Sequence, residues 1–122
     1  MDIEARTSQL FEHFESESIE GVREMFAPDA RVRQNGVPEH DIEGLVTMIE
    51  GLRRDGVRVE YSDVRRSVGD RFVVEQHLVT LTRPDGVSAS TDVCVVVHYD
   101  DDGLITQLHE YVDTAAFAEL RS

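Results

Sequence analysis

The first half of the chain places its apolar residues at helical spacing. A first run follows the i, i+7, i+8, i+11 pattern of one helical face: Ile3, Leu10, Phe11 and Phe14. This pattern predicts a helix over residues 3–15. Ser18 is placed to cap a second short helix, which ends at Pro28-Asp29. One short strand, residues 30–35, precedes a turn at Gly36-Val37-Pro38, and Asp41 is expected to cap a third helix.

The second half alternates apolar and β-branched residues between turn signals. The predicted turns are Gly69-Asp70, Pro84-Asp85-Gly86 and Asp102-Gly103. Four strands are expected, over about residues 57–66, 71–83, 87–99 and 104–112. Tight turns require antiparallel pairing, because parallel neighbours need a crossover of about a dozen residues or more. With a short closing helix over 114–121, this order predicts an α+β fold with helices on one face of a curved antiparallel sheet.

Length, charge and cysteine content narrow the class of protein. The 122 residues are expected to form one domain, 1–122. The balance of 25 Asp and Glu against 12 Lys and Arg gives a net charge of −13, so neither nucleic acid nor a membrane is expected as a partner. The acidic start is unlike a signal peptide, and the lone Cys94 favours a reducing, cytoplasmic location. The five histidines show no metal-binding spacing, and no metal or cofactor is expected.

Two segments, together with the element order, resemble a known superfamily. The first is Glu24-Met25-Phe26-Ala27-Pro28-Asp29-Ala30, and the second is Asp102-Gly103-Leu104-Ile105 followed by His109-Glu110-Tyr111-Val112-Asp113 and Phe117. The chain resembles the SnoaL-like, or nuclear transport factor two-like, proteins. That superfamily includes ketosteroid isomerases, limonene epoxide hydrolases and polyketide cyclases. The resemblance implies a cone-shaped curved antiparallel sheet with three N-terminal helices packed on its concave face, a cystatin-like α+β barrel, around one apolar pocket.

The resemblance also implies one acid/base residue. In the cyclases and epoxide hydrolases an acidic residue five positions after the isoleucine of the final hairpin lies in the pocket, and here that residue is Glu110. Desolvation on an apolar face disfavours a charged carboxyl, which suits a general acid or base. The alternative is that Glu110 pairs with an arginine or faces solvent at a strand end.

Further pocket residues follow from the same alignment. It places Asp92, Cys94 and Gln76 on the concave face, where Asp92 would form a catalytic carboxyl pair with Glu110. The alternative for Asp92 is a solvated strand end. On this assignment His77 and His109 lie on the convex face and His98 lies at the pocket rim.

The remaining candidates are substrate contacts. Gln34 and Asn35 are expected to orient a substrate carbonyl or a water, although turn chemistry alone explains an asparagine before Gly36. The full set of expected substrate contacts is Gln76, Asn35, Gln34, Leu78, Cys94, Val112 and Phe14.

These assignments predict a small cofactor-independent isomerase, cyclase or hydrolase that acts on a small apolar metabolite. Limonene-type epoxide hydrolysis fits less well, because its arginine and aspartate fall at Gln76 and Leu78. The ketosteroid isomerase base falls at Gln34. The alternative is a noncatalytic ligand-binding or dimerisation module of the same fold. Because both faces of the strands are apolar, a homodimer through the convex face is expected.

Overall fold

A computed structural model describes residues 1–36 and 39–121. The helices are α1 (Ile3–Ser16), α2 (Ile19–Met25), α3 (Ile42–Arg54) and a C-terminal 3₁₀ helix (Thr114–Arg121). Side chains cap the three α-helices: Asp2, Ser18 and Asp41 accept hydrogen bonds from the backbone N–H groups of Ala5, Gly21 and Gly44. The caps at Ser18 and Asp41 were predicted, whereas the cap at Asp2 was not. Of the predicted turn before β2, Val37 and Pro38 lie outside the described residues.

Six strands form one curled sheet. They are β1 (Phe26–Gln34), β2 (Glu39–His40), β3 (Arg58–Val68), β4 (Phe72–Thr82), β5 (Ser88–Tyr99) and β6 (Ile105–Val112), in the order β2-β1-β6-β5-β4-β3. The predicted antiparallel meander from β3 to β6 is confirmed. In the described part of the chain β2 and β3 are the two edges, so the curled sheet does not close into a barrel.

Strand β1 differs most from its prediction. It starts at Phe26 rather than at residue 30, and it runs parallel to β6 with a register shift between Phe26 and Arg31. The irregularity accommodates Pro28, which cannot donate to a sheet ladder. This parallel pairing brings Gln34 opposite Glu110.

The helices cover the concave face, so the predicted α+β cone is confirmed. Helix α1 contacts β3 and β4, and α3 contacts β1. A buried hydroxyl pair ties α1 to β5: the Tyr99 hydroxyl lies 2.7 Å from Thr7 Oγ1, which donates to the Ile3 carbonyl at 2.8 Å. In the described chain no helix combines the length and apolar character needed to cross a membrane.

The inward faces of β4 and β5 are the opposite of those predicted. Buried residues alternate along these strands as Val73, Glu75, His77, Val79 on β4 and Val93, Val95, Val97, Tyr99 on β5. The convex face therefore carries Gln76, Leu78, Asp92 and Cys94, paired as Gln76 with Cys94 and Leu78 with Asp92. A one-residue change of parity exchanges every side chain between faces.

Candidate functional site

A cavity of about 430 Å³ lies between the concave sheet face, α1, α3 and the C-terminal 3₁₀ helix. This size falls within the range of roughly 300–1,000 Å³ typical of small-molecule sites. Its wall is mostly apolar and includes Phe14, Leu45, Ile49, Val59, Val95, Leu108 and Val112. The placement of Phe14 and Val112 agrees with the expectation that both face the pocket. An apolar wall of this kind suits an apolar organic ligand.

Glu110 supplies a carboxyl to this cavity, as predicted. Gln34, which also lines the cavity, donates from Nε2 to Glu110 Oε1 at 2.7 Å. Oε2 of Glu110 has no hydrogen-bond partner among the residues described. The pairing predicted as an alternative, with an arginine, is not present in that part of the chain. One carboxyl oxygen is thus oriented and the other is free for a ligand.

Asn35 holds the end of β6 and does not line the cavity. Its Nδ2 donates to the Val112 carbonyl, and its Oδ1 accepts from the Val112 N–H, both at 2.9 Å. The residue has a positive φ of 55°, a conformation that asparagine tolerates better than most residues. Its amide is therefore committed to the backbone, as the turn interpretation of this residue predicted.

Tyr61 on β3 is a cavity residue that sequence reasoning missed. Burial raises the pKa of its phenol well above the usual value, and the negative charges of Glu110, Glu15 and Glu75 raise it further. The hydroxyl therefore stays protonated near neutral pH and is available as a hydrogen-bond donor. A tyrosine at an inward position of an edge strand was the signal in the sequence.

The predicted carboxyl pair of Asp92 with Glu110 is wrong. The Asp92 side chain is 83% exposed on the convex face and lies 4.0 Å from Arg65. The predicted substrate contacts Gln76, Leu78 and Cys94 lie on that same face and do not line the cavity. The reason is the parity of β4 and β5, on which the neighbouring residues point inward.

The histidine assignments are also corrected in part. His109 lies on the convex face as predicted, with its ring 5.8 Å from that of His98, which is therefore not at the pocket rim. Burial, followed by the charges of His98 and Arg33, lowers the pKa of His109. His77 was expected on the convex face, but it is 1% exposed on the concave side.

His77 belongs to a buried polar cluster with Glu75 and Arg66. Arg66 Nε donates to Glu75 Oε1 at 2.6 Å, and His77 Nδ1 lies 2.5 Å from Glu75 Oε2. The Glu75 side chain is fully buried, whereas that of Arg66 is 17% exposed. The sequence signal was two titratable residues at alternate positions of a strand otherwise filled by valine and leucine on that face.

No group of three or more His, Cys, Asp or Glu side chains in the described ranges is arranged to hold a metal ion.

The fold and the cavity together define an α+β cone protein with an apolar small-molecule site lined by two carboxyl side chains, Glu110 and Glu17. Oε2 of Glu17 is buried and, like Oε2 of Glu110, has no hydrogen-bond partner among the described residues. Residues 7–108 match the SnoaL-like domain family, so the chain belongs to that family. A comparison with curated protein sequences gives no significant match.

Solved structures of similar fold are remote in sequence. A candidate polyketide cyclase from Xanthomonas campestris pv. campestris is 14% identical with a TM-score of 0.83, covering 98% of this chain and 96% of that one. IdmH, a candidate polyketide cyclase from Streptomyces antibioticus, is 18% identical with a TM-score of 0.78 and full coverage, 100%, of both chains. An LEH-like epoxide hydrolase from M. tuberculosis is 18% identical with a TM-score of 0.77, covering 94% and 86%. At these identities the likeness establishes the fold alone.

Proposed function

We propose that this protein is a cofactor-independent enzyme of the isomerase, cyclase or hydrolase type, with Glu110 as its general acid or base. The observation that carries the proposal is the geometry of one carboxyl. Glu110 lies in an apolar cavity with Oε1 held by Gln34 and with Oε2 unpartnered among the described residues. An oriented carboxyl in an apolar cavity is suited to proton transfer.

The substrate class follows from the cavity. Its apolar wall favours an aromatic or alicyclic ring, and Glu110 requires an acidic proton, such as the one on carbon next to a carbonyl. Oε2 takes this proton, and the C–H electron pair moves toward the carbonyl oxygen. The protonated Tyr61 phenol lines the same cavity and can donate a hydrogen bond to an oxygen that gains negative charge.

The outcome of the reaction depends on where the proton returns. Return to a different carbon isomerises the substrate, whereas attack of the new carbanion on a second carbonyl closes a ring. The names of the structurally similar proteins include candidate polyketide cyclases, which is compatible with ring closure. The proposal therefore specifies proton abstraction from an apolar carbonyl compound and leaves the later step to the substrate.

Deuterium exchange tests this proposal without knowledge of the natural substrate. A panel of cyclic ketones, including α-tetralone, is incubated with the protein in D₂O, and loss of α-proton NMR signals is followed. We expect catalysed exchange that falls by about 10²–10⁴-fold in Glu110→Gln, the usual range for a general base. Asp92→Asn serves as the matched control because its carboxyl lies on the convex face.

The same experiment distinguishes an enzyme from the alternative, a noncatalytic binding module. A ketone that binds in the cavity shifts the NMR signals of the Leu108 and Val95 methyl groups. If such ketones exchange their α-protons equally fast with the wild type and with Glu110→Gln, the binding module is supported and the proposed enzymatic function is refuted. Failure of the whole panel to bind would contradict the cavity as a site for such ligands.

The proposal includes a homodimer through the convex face. Phe72 is 36% exposed and Tyr111 50% exposed on this face. Half-buried Val74 and Val96 lie side by side between the rows that carry these two rings. A second copy of the chain would bury this apolar surface and leave the cavity on the other side of the sheet free for substrate.

A further inference from the structure

The Arg66–Glu75–His77 cluster is more polar than packing alone requires. On the same inward face of β4, its neighbours Val73 and Val79 are buried apolar residues. Burying a carboxyl costs stability unless it is paired, and Arg66 already provides that pairing. His77 adds a second titratable group that charge compensation does not need.

Glu75 fixes the orientation of the imidazole. Its Oε2 lies 2.5 Å from Nδ1, so Nδ1 is the donor and carries a proton. In the neutral ring Nε2 is therefore the atom with the free electron pair. Buried as it is, this Nε2 has no hydrogen-bond partner among the described residues. An unpaired buried nitrogen costs stability, so packing alone does not account for this residue.

A single layer of aromatic rings separates this imidazole from the cavity. The ring centroids of Phe11 and Tyr61 lie 5.0 and 4.6 Å from that of His77. Both aromatic residues line the cavity, whereas His77 does not. Displacement of either ring would bring the imidazole into the cavity wall.

Of the two rings, Tyr61 lies in the less regular part of the fold. It lies on β3, an edge strand of the sheet, directly before a register shift between Ser62 and Arg65. Asp63 within this shift has a positive φ of 52°. Edge segments next to a bulge have fewer ladder hydrogen bonds and open at lower free energy than central strands. Phe11, by contrast, is 5% exposed on α1.

We propose that His77 is a second acid/base residue of the cavity, whose Nε2 exchanges a proton with the ligand when the Tyr61 ring turns aside. In this step a substrate O–H or C–H proton bonds to the Nε2 electron pair, and the pair of the broken bond stays on the substrate. Glu75 balances the charge of the imidazolium, and return of the proton restores the neutral ring. The ligand is an apolar carbonyl compound that gives up one proton and receives another.

The chemical part of this inference rests on the proposed function, whereas the access of reagents to His77 does not. Access is therefore tested first, by acylation of the intact protein with diethyl pyrocarbonate. This reagent attacks unprotonated imidazole nitrogen, and peptide mass spectrometry resolves each histidine. We expect His77 to react more slowly than the exposed His40 in the wild type and at least about tenfold faster in Tyr61→Ala, because the ring seals the site. Saturating α-tetralone should protect His77.

A control variant distinguishes local exposure of His77 from a general loss of stability. Val68→Ala removes an exposed apolar side chain from the same strand as Tyr61, β3, and should leave the rate at His77 unchanged. The proposal would be overturned if His77 reacted at the same rate in the wild type and in Tyr61→Ala. It would also be overturned if His77 reacted in neither protein while His40 reacted fully. Labelling of His77 that α-tetralone leaves unaffected would likewise overturn it.

Exchange kinetics then test the proton transfer. His77→Gln retains an amide donor for Glu75 but lacks the ring nitrogen, and it should lower kcat for α-proton exchange by about 10²-fold with KM unchanged. His109→Gln, on the convex face, should have no effect. Normal exchange in His77→Gln alongside a defect in Glu110→Gln would overturn this inference alone. Acceleration of His77 labelling by Tyr61→Ala alongside normal exchange in Glu110→Gln would instead refute the proposed function.

Discussion

Glu75→Gln is the substitution that most directly probes the buried cluster. It keeps the shape of the side chain while it removes the negative charge. In the wild type, each oxygen of the fully buried carboxylate accepts one hydrogen bond, from Arg66 at 2.6 Å and from His77 at 2.5 Å. A glutamine can accept only one of these bonds with its oxygen, because its NH₂ group faces the other donor.

The magnitude follows from what the glutamine leaves unpaired. One buried donor without an acceptor costs about 1–3 kcal/mol, and removal of one partner from a buried ion pair costs about 3–5 kcal/mol. Arg66 is 17% exposed, so its guanidinium can recover some hydration. The expected loss in the free energy of unfolding is therefore about 2–3 kcal/mol, the upper part of the first range.

Urea unfolding followed by circular dichroism measures this loss. The variant should stay folded, because small domains have about 5–15 kcal/mol of stability. Glu60→Gln is the matched control: its carboxylate pairs with Arg58, but the side chain is 54% exposed, so its loss should stay within about 1 kcal/mol. A loss below about 1 kcal/mol in Glu75→Gln would show that Glu75 does not hold both neighbours, and the orientation argument for His77 would fail.

Three further predictions concern single side chains. Burial raises the pKa of Tyr61, so above about pH 10 the unfolded chain releases a proton that the folded chain retains. The free energy of unfolding should therefore fall as the pH rises above that value. The midpoint of urea unfolding measures this fall, which should be smaller in Tyr61→Phe. Asp92→Asn should change stability by no more than about 0.5 kcal/mol, since an 83% exposed carboxylate gains little from Arg65; a larger loss in urea unfolding would contradict its surface placement. Phe72→Ser should shift the chain from dimer to monomer in sedimentation velocity, and a monomeric wild type would refute the convex interface.

The helices and the meander were predictable because local signals there agree with packing. Ser18 and Asp41 each precede an apolar run of helical spacing and cap the helix that follows. Glycine-containing turns separate the strands β4, β5 and β6. The parallel pairing of β1 with β6 was not predictable in the same way, since its partners are far apart in sequence.

The faces of β4 and β5 were assigned wrongly because apolar residues occupy both parities. The run from Val93 to Val97 is apolar at every position, so alternation within it selects no face. The start of β5 did carry a signal: Ser88, Ser90 and Asp92 share one face, which is polar and therefore points to solvent. The resemblance to the superfamily instead placed Asp92 and Cys94 on the concave face, which is the wrong face of β5.

Glu110 could be predicted whereas His77 could not, and the difference is physical. The resemblance to the superfamily implied the position of Glu110 through its offset from Ile105, and that offset is reliable because both residues lie on one strand. The placement of His77 depends on the parity of β4, and its exposure depends on Phe11 and Tyr61, which approach from α1 and β3. The alternating Glu75 and His77 indicate that both share a face of β4, but they do not indicate which face, or that α1 and β3 cover it.

The two acid/base groups share one arrangement. Gln34 holds Oε1 of Glu110, and Glu75 holds Nδ1 of His77. In each case the second polar atom, Oε2 or Nε2, has no partner among the residues described. Of these two atoms, Nε2 of His77 is buried, and a core optimised only for stability would pair it or replace the group by an apolar residue. Because the holding residue fixes which atom is free, a change in Gln34 should alter exchange through Glu110, and a change in Glu75 should alter it through His77.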